Sequence, residues 1–509
     1  MDYQERVQQR AANDIVIVGA GFAGLCMAIR LKRAGITDFT ILERAEEIGG
    51  TWRDNHYPGA ACDVESHLYS FSFEPNPRWT RHFASQREIL DYLLHCTEKF
   101  GLRSHIRFGT AVQRARLHEP SGSWILETNR DQAFRARALV LACGGLSRPA
   151  YPDIRGLGAF QGVAFHSSRW DHSLSLDGKK VAVIGTGASA IQIVPSIAHR
   201  VSRLYVHQRT PPWIVPKPDR AIGPLERMLL QRVPLLQRMR RLAIYWQREV
   251  LALGLVVRPA LLKWAERFVR KHLARSIADP ALRAKLLPSY RMGCKRILPT
   301  NDYYPALGRD NVEVVTERID EIRTHSIVTD DGRERTVDVI VLATGFHAAD
   351  QVAPFELFGH AGRRLDETWR DGAEAYLGTT VSGFPNLFFI VGPNTGLGHS
   401  SMVLMIESQV QYILSCVQAM RRGGLKLLGV RADAQARYNE RLHARLRNTV
   451  WASGCSSWYQ TSSGKITTLW PGFTFEFRLR TRRFDARDYD LVLDHDARPA
   501  AKSIARTPD

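Results

Sequence analysis

Short unbroken apolar runs alternate with stretches of helical periodicity over most of the chain. Val16–Val18 form the first run, and Leu25, Ile29 and Leu31 begin an apolar helical face. Thr40–Leu42 form the next run, ending at Glu43. The same order returns at KKVAVIGTGASAIQIVPSIAHRVSRLYVHQR, whose turn lies 166 residues after the first. Strand, helix and strand, twice over, predict an α/β fold with two Rossmann-like dinucleotide-binding domains. Two further apolar runs, ALVLACGG (138–145) and DVIVLATGF (338–346), end in small residues, where a strand can bring its backbone beside a ligand. Residues 221–290 read as helices that interrupt the second unit, and FPNLFFIVG followed by a long helix closes the first. The expected division is therefore 1–150 with 385–509, then 151–220 with 291–384, and a mainly helical insertion at 221–290 that borders a substrate channel.

The turns carry the first chemistry. Gly19 permits a tight turn, Gly21 lets the backbone approach a pyrophosphate, and Gly24 lets the helix pack close to the strand. A phosphate then meets the unpaired N–H groups of the helix start. Glu43, 24 residues after Gly19, is placed to accept hydrogen bonds from a ribose diol. In the second unit Gly185 and Gly187 are followed by Ala190, and Arg209 stands 24 residues after Gly185. An arginine there suits a ribose phosphate, which an acid would repel, and Thr210 adds a hydroxyl. The contrast assigns FAD to the first site and NADPH to the second. A dithiol reductase needs paired cysteines beside the flavin, and Cys62 stands alone in GAACDVES. Molecular oxygen is the remaining acceptor.

Charge and cysteine content narrow the classes. The net charge is +19, and residues 201–300 carry 21 Lys/Arg against 5 Asp/Glu. The alternation in RMLLQRVPLLQRMRRLAIYWQREVLALGLVV reads as amphipathic helices with basic outer faces. It comes with no zinc-finger or RNA-binding motif, so nucleic acid is not an expected partner. Peripheral contact with a membrane surface is left open. Seven scattered cysteines with no Cys-x-x-Cys predict reduced thiols and no structural zinc. HSSRWDH has no spacing that asks for a metal. With a polar start, MDYQERVQQR, and no apolar run of about 18 residues, the expectation is a cytoplasmic chain without a transmembrane segment. The polar tail after Asp494 is expected to be partly disordered.

The motifs together resemble the Baeyer–Villiger monooxygenases, class B flavoprotein monooxygenases that depend on FAD and NADPH. FQGVAFHSSRWD fits the family fingerprint at Phe160, Gly162, His166, Trp170 and Asp171, and lies between the two glycine turns. GGTWRDNHYPGAACDVESHLYSF, GCKRILPTNDYYPAL and SSWYQTSSGK extend the likeness over nearly the whole chain. The resemblance implies that NADPH and oxygen convert a small lipophilic ketone into an ester or lactone through an FAD C4a-peroxide. It implies that Asp63 is the active-site aspartate and Arg296 the arginine meeting the reactive oxygen. It further implies that Lys295 assists recognition of the NADP 2′-phosphate and that Trp458 contacts the nicotinamide cofactor. His166 is implied to sit in the linker that couples domain movement to turnover. TSSGK replaces the Asn and Pro that commonly precede Gly-Lys in cyclic-ketone enzymes, which weakens transfer of a cyclic-ketone preference, and a length at the short end for the family points to linear or aryl ketones over bulky steroids.

Each assignment has a plainer alternative. Asp63 can be an N-cap, Arg209 and Arg296 surface cations, His166 a structural histidine, and Trp52, Trp170 and Trp458 packing residues. The competing functions are flavin-dependent oxygenation of sulfur or nitrogen, and an FAD- and NADPH-binding redox sensor without oxygenation.

Overall fold

A computed structural model describes residues 13–348, 353–455 and 457–494. The polar start and the tail after Asp494 fall outside these residues. The first sheet grows around β1 (Asn13–Val18), a parallel partner of both β2 (Phe39–Leu42) and β6 (Ala133–Leu141). Between them come β3 (Ile106–Arg107), β4 (Val112–His118) and β5 (Ser123–Thr128). Ile15 and Ile17 face one apolar cluster while Val16 and Val18 face another, as alternation along a doubly covered strand requires. Helix α1 (Phe22–Arg33) fills the first cluster with Leu25, Ile29 and Leu31, all fully buried. Burying each such side chain contributes roughly 1.5–3 kcal/mol.

The second sheet is wholly parallel. Its strands are β7 (Val163–His166), β8 (Lys180–Ile184), β9 (Arg203–His207), β10 (Val312–Val315) and β11 (Val339–Leu342). Their spatial order is β10-β9-β8-β11-β7. Helix α2 (Ala190–Ile197) follows β8. The chain then returns to the first sheet, adding β12 (Glu356–Phe358) beside β4 and β13 (Leu387–Phe389) beside β6. In both sheets the chain leaves the first strand of the unit on one side and later returns to pair on its other side. The crevice at its carboxyl end is where a dinucleotide fits.

Between the two halves of the second sheet lie α3 (Pro224–Arg232), α4 (Pro234–Ala252), a π-turn at Leu253–Val257 and α5 (Leu262–Ser276). The expectation of basic outer faces is corrected on α4. Its inward side carries Arg240, Arg241, Arg248 and Glu249, while Leu235, Met239, Leu242, Trp246 and Val250 face outward. The reason is that the arginines find acceptors beneath the helix. Arg241 donates to the carbonyl of His67 (2.8 Å), and Arg248 to Glu65 (2.8 Å). The long helix α6 (Met402–Gly423) starts at a Ser401 cap and packs on α1.

The expectation of reduced thiols throughout is also corrected. Cys294 and Cys455 form a disulfide, and five cysteines stay free. The partners are 161 residues apart in sequence, so linear spacing hides them, but folding brings their Cα atoms to 6.3 Å.

Candidate active site

One cavity of about 1710 Å³ runs from the carboxyl end of β1 to that of β8. At its first end Gly19 has φ +106°, and its N–H donates to the Leu42 carbonyl (2.8 Å). A Cβ on Gly24 would stand 1.9 Å from the Gly19 carbonyl oxygen, so only glycine lets α1 pack this near β1. Gly21 faces Gly50 across the crevice, leaving both backbones bare. The buried Glu43 carboxylate accepts the Ala20 N–H (2.8 Å) and the Ala45 N–H (3.0 Å), and pairs with Arg53. Those bonds hold the carboxylate fixed at the cavity wall.

At the other end Gly185 repeats the turn with φ +115°, and Gly187 has open space where a side chain would stand. Ala190 is fully buried at the start of α2. Thr186 donates its hydroxyl to the Thr210 carbonyl (2.9 Å), fixing the loop after β9. Arg209, Thr210 and Lys295 all line the cavity. Burial first, and then the neighbouring Arg209 charge, hold the Lys295 ammonium below the usual lysine range. Among the described residues no carboxylate bonds to either cation. Two cations close enough to feel each other, at the end of a dinucleotide turn, are suited to an anionic group.

The middle of the cavity holds Asp63 and Arg296, from segments 233 residues apart. They meet in a two-point bond: Arg296 Nε donates to Oδ2 and Nη2 to Oδ1, each at 2.8 Å. Their side chains keep 23% and 30% exposure. Burial opposes the Asp63 charge, but the Arg296 guanidinium and its hydrogen bonds outweigh this and hold the carboxyl below its ordinary range. Asp63 in turn raises Arg296 further above its already high value. The guanidinium therefore keeps its charge at any working pH. No helix begins at Asp63, so the N-cap alternative falls away.

Trp52 lines the flank of the first turn, its indole N–H donating to the Tyr69 hydroxyl (3.1 Å). Trp458 lines the cavity from the C-terminal segment, 45% exposed, with its ring 4.5 Å from that of Tyr459. The fingerprint residues lie elsewhere: Phe160, Gly162, His166, Trp170 and Asp171 are all absent from the lining. A Cβ on Gly162 would stand 2.4 Å from the Asp338 carbonyl oxygen. Trp170 packs edge-on against Phe165, and Asp171 accepts bonds from Ser173. Buried His166 accepts the Ser168 N–H at Nδ1 (3.2 Å), leaving Nε2 to donate to the Gly345 carbonyl (2.9 Å). Burial lowers its pKa, so the ring sits neutral in that tautomer. It ties the linker to the loop after β11.

Sequence reasoning missed three side chains here. Tyr459 is buried, close enough to Arg296 and Asp63 to feel both charges, and its hydroxyl has no partner among the described residues. Burial pushes it up to about 12. Lys217 is brought near Asp63 and lowered by burial. Arg248 reaches from α4 to the Asp63 carbonyl (3.4 Å). Only the adjacency of Tyr459 to Trp458 was visible beforehand. From the helical insertion, Tyr290 alone lines the cavity.

Two dinucleotide crevices sharing one cavity with a fixed arginine–carboxylate pair define a two-nucleotide oxidoreductase. A family model described as "Pyridine nucleotide-disulphide oxidoreductase" matches residues 16–253. The chain is 49% identical to a Baeyer–Villiger monooxygenase of Pseudomonas aeruginosa, over 96% of this chain and 94% of the relative. It is 48% identical to one of Streptomyces coelicolor, with the same coverage. Among solved structures, an oxidized steroid monooxygenase bound to NADP is 32% identical, with TM-score 0.85 over 95% of this chain and all (100%) of that one. A closed cyclohexanone monooxygenase is 29% identical, with TM-score 0.86 over 94% and 99%. The chain belongs to the Baeyer–Villiger monooxygenase family.

Proposed function

We propose that this chain uses NADPH and molecular oxygen to convert a small lipophilic ketone into an ester or lactone. The single observation that carries the reading is the Arg296–Asp63 pair, held in the cavity that both glycine turns open into. The residues present fit both cofactors. Gly19, Gly21, Gly24, Glu43 and Trp52 suit FAD, because bare backbone and a fixed acid meet at the helix start. Gly185, Gly187, Ala190, Arg209, Thr210 and Lys295 suit NADPH, because among the described residues the two cations have no carboxylate of their own. FAD supplies the hydride acceptor and the centre where oxygen reacts.

The chain's residues supply the setting. Arg296 presents a permanent charge and a planar set of donors to negative oxygen, where preorganised donors are most effective. Asp63 orients it and need not take a proton. Trp458, on the cavity wall, would contact the nicotinamide and help exclude water. Phe160, Gly162, His166, Trp170 and Asp171 act at a distance, through the linker. The division is 1–150 with 385–509 for FAD, 151–220 with 291–384 for NADPH, and 221–290 between, corrected at one boundary: Glu356–Phe358 pairs in the first sheet and Ala353 to Phe384 pack in its core, so the chain from about 353 onward goes with FAD. A supply of NADPH suits a cytoplasmic location. The departure at TSSGK weakens the case for cyclic ketones, and linear or aryl ketones are the proposed substrates over bulky steroids. The test is an aerobic panel of ketones and sulfides with NADPH, read by mass spectrometry. Ester from ketones supports the reading; sulfoxide alone, with no ester from any ketone, overturns it.

A further inference from the structure

Helix α4 is turned inside out. Its charged side faces the protein and is bonded there: Arg241 to the His67 carbonyl, Arg248 to Glu65, and Glu249 to the Thr474 N–H (3.1 Å). Its other side carries Leu235, Met239, Leu242, Trp246 and Val250, spaced three or four residues apart and each between 52% and 65% exposed. The strip continues past the helix. Trp246 lies 6.2 Å from the ring of Phe475, and Leu479 follows one turn later on the same helical face, 66% exposed. An apolar strip of this size on a water-soluble surface marks an interaction site.

The border says what covers it. Arg232, Arg238, Arg478, Arg482 and Arg483 are exposed, and among the described residues none bonds to a carboxylate. A second copy would bring the same cations against these, so like charges oppose self-association. An anionic surface complements them. No helix among the described residues is long and apolar enough to cross a membrane. A 19-residue helix spans about 28 Å and suits an in-plane position, with Trp, Leu, Met and Val at the acyl boundary and arginines at the headgroups.

We propose that the outer face of α4, with Phe475 and Leu479, docks on anionic lipid bilayers. The inner face of the same helix reaches the catalytic region, where Arg248 holds Glu65 and the Asp63 carbonyl. The bilayer-bound helix is thus one residue-layer from the site that would take a lipophilic ketone. That last link rests on the proposed activity; the docking itself does not.

The test is co-sedimentation of the full-length, FAD-loaded protein with two vesicle types: equimolar phosphatidylglycerol and phosphatidylcholine, or phosphatidylcholine alone. The expected result is binding to the anionic vesicles that weakens as salt rises, and little binding to the neutral ones. Met239→Glu with Trp246→Glu should abolish sedimentation while leaving FAD content and NADPH oxidation unchanged. Arg238→Glu, Arg478→Glu and Arg482→Glu together should weaken binding about 100-fold. Three results overturn the proposal. They are no binding to anionic vesicles at low salt, undiminished binding by the Met239/Trp246 variant, or a solution dimer that this variant splits, which would make a second copy the occupant. NADPH oxidation is read separately, so loss of docking and failure of the proposed reaction are distinguishable.

Discussion

Arg209 and Lys295 are two cations held side by side at the end of the second nucleotide turn. Removing a charged contact to phosphate costs about 1.5–3 kcal/mol, or roughly 10- to 150-fold. Arg209→Ala is therefore expected to raise the KM for NADPH by that range and to change the KM for NADH little. Equal losses with both donors would contradict the assignment. Arg296 calls for a different readout. Arg296→Ala is expected to keep its FAD yet lose about 100–1000-fold in ester formation, since one preorganised donor to negative oxygen is gone. Arg296→Lys restores charge but not the paired donors that meet Asp63, so it should recover little. The comparison is made as ester formed per chemically reduced flavin, which separates this step from NADPH binding. The pair also sets a pH limit. A carboxyl held below its unfolded value of about 3.9 adds stability above that pH and loses it as pH falls through the folded value. Thermal melts should thus fall only below about pH 4 on this account, and Asp63→Asn should remove that part of the fall.

At the scale of elements, α1 depends on its approach to β1. A methyl group on Gly24 would clash with the Gly19 carbonyl, so Gly24→Ala must push helix and strand apart. The expected outcome is a loss of about 1–3 kcal/mol in stability together with weakened FAD retention. Unchanged melting and flavin content would contradict the packing argument. This part of the fold is legible in sequence because turn, strand and helix are local: glycines at 19, 21 and 24 state their own geometry. The meeting of Asp63 with Arg296 is not legible from spacing, since 233 residues intervene and only a family likeness points to it. Helix α4 shows the opposite failure. Its alternating arginines and leucines give the period correctly but not which side faces inward, because buried acceptors at His67 and Glu65 lie on other elements. His166 is a milder case, visible as a motif residue but placed by bonds to Ser168 and Gly345.

The molecule as a whole joins its halves at one cavity, and a disulfide stands close to it. Cys294 immediately precedes Lys295 and Arg296, and Cys455 lies three residues before Trp458. Thiol titration of the denatured protein should count five thiols without reductant and seven after reduction. Seven in both conditions would contradict the disulfide. Reduction should also loosen the Trp458 segment, read as faster amide exchange there with little change in α1.

In the proposed reaction one cavity passes electrons from NADPH and one oxygen atom from O2 into a ketone, under the charge of Arg296. The most direct measurement runs the FAD-loaded protein with NADPH and a linear or aryl ketone under ¹⁸O₂. The expected product is an ester carrying a single heavy oxygen in the newly formed C–O bond, one molecule for each NADPH consumed. NADPH oxidation that yields only hydrogen peroxide across the ketone panel, or an ester without heavy oxygen, would contradict it.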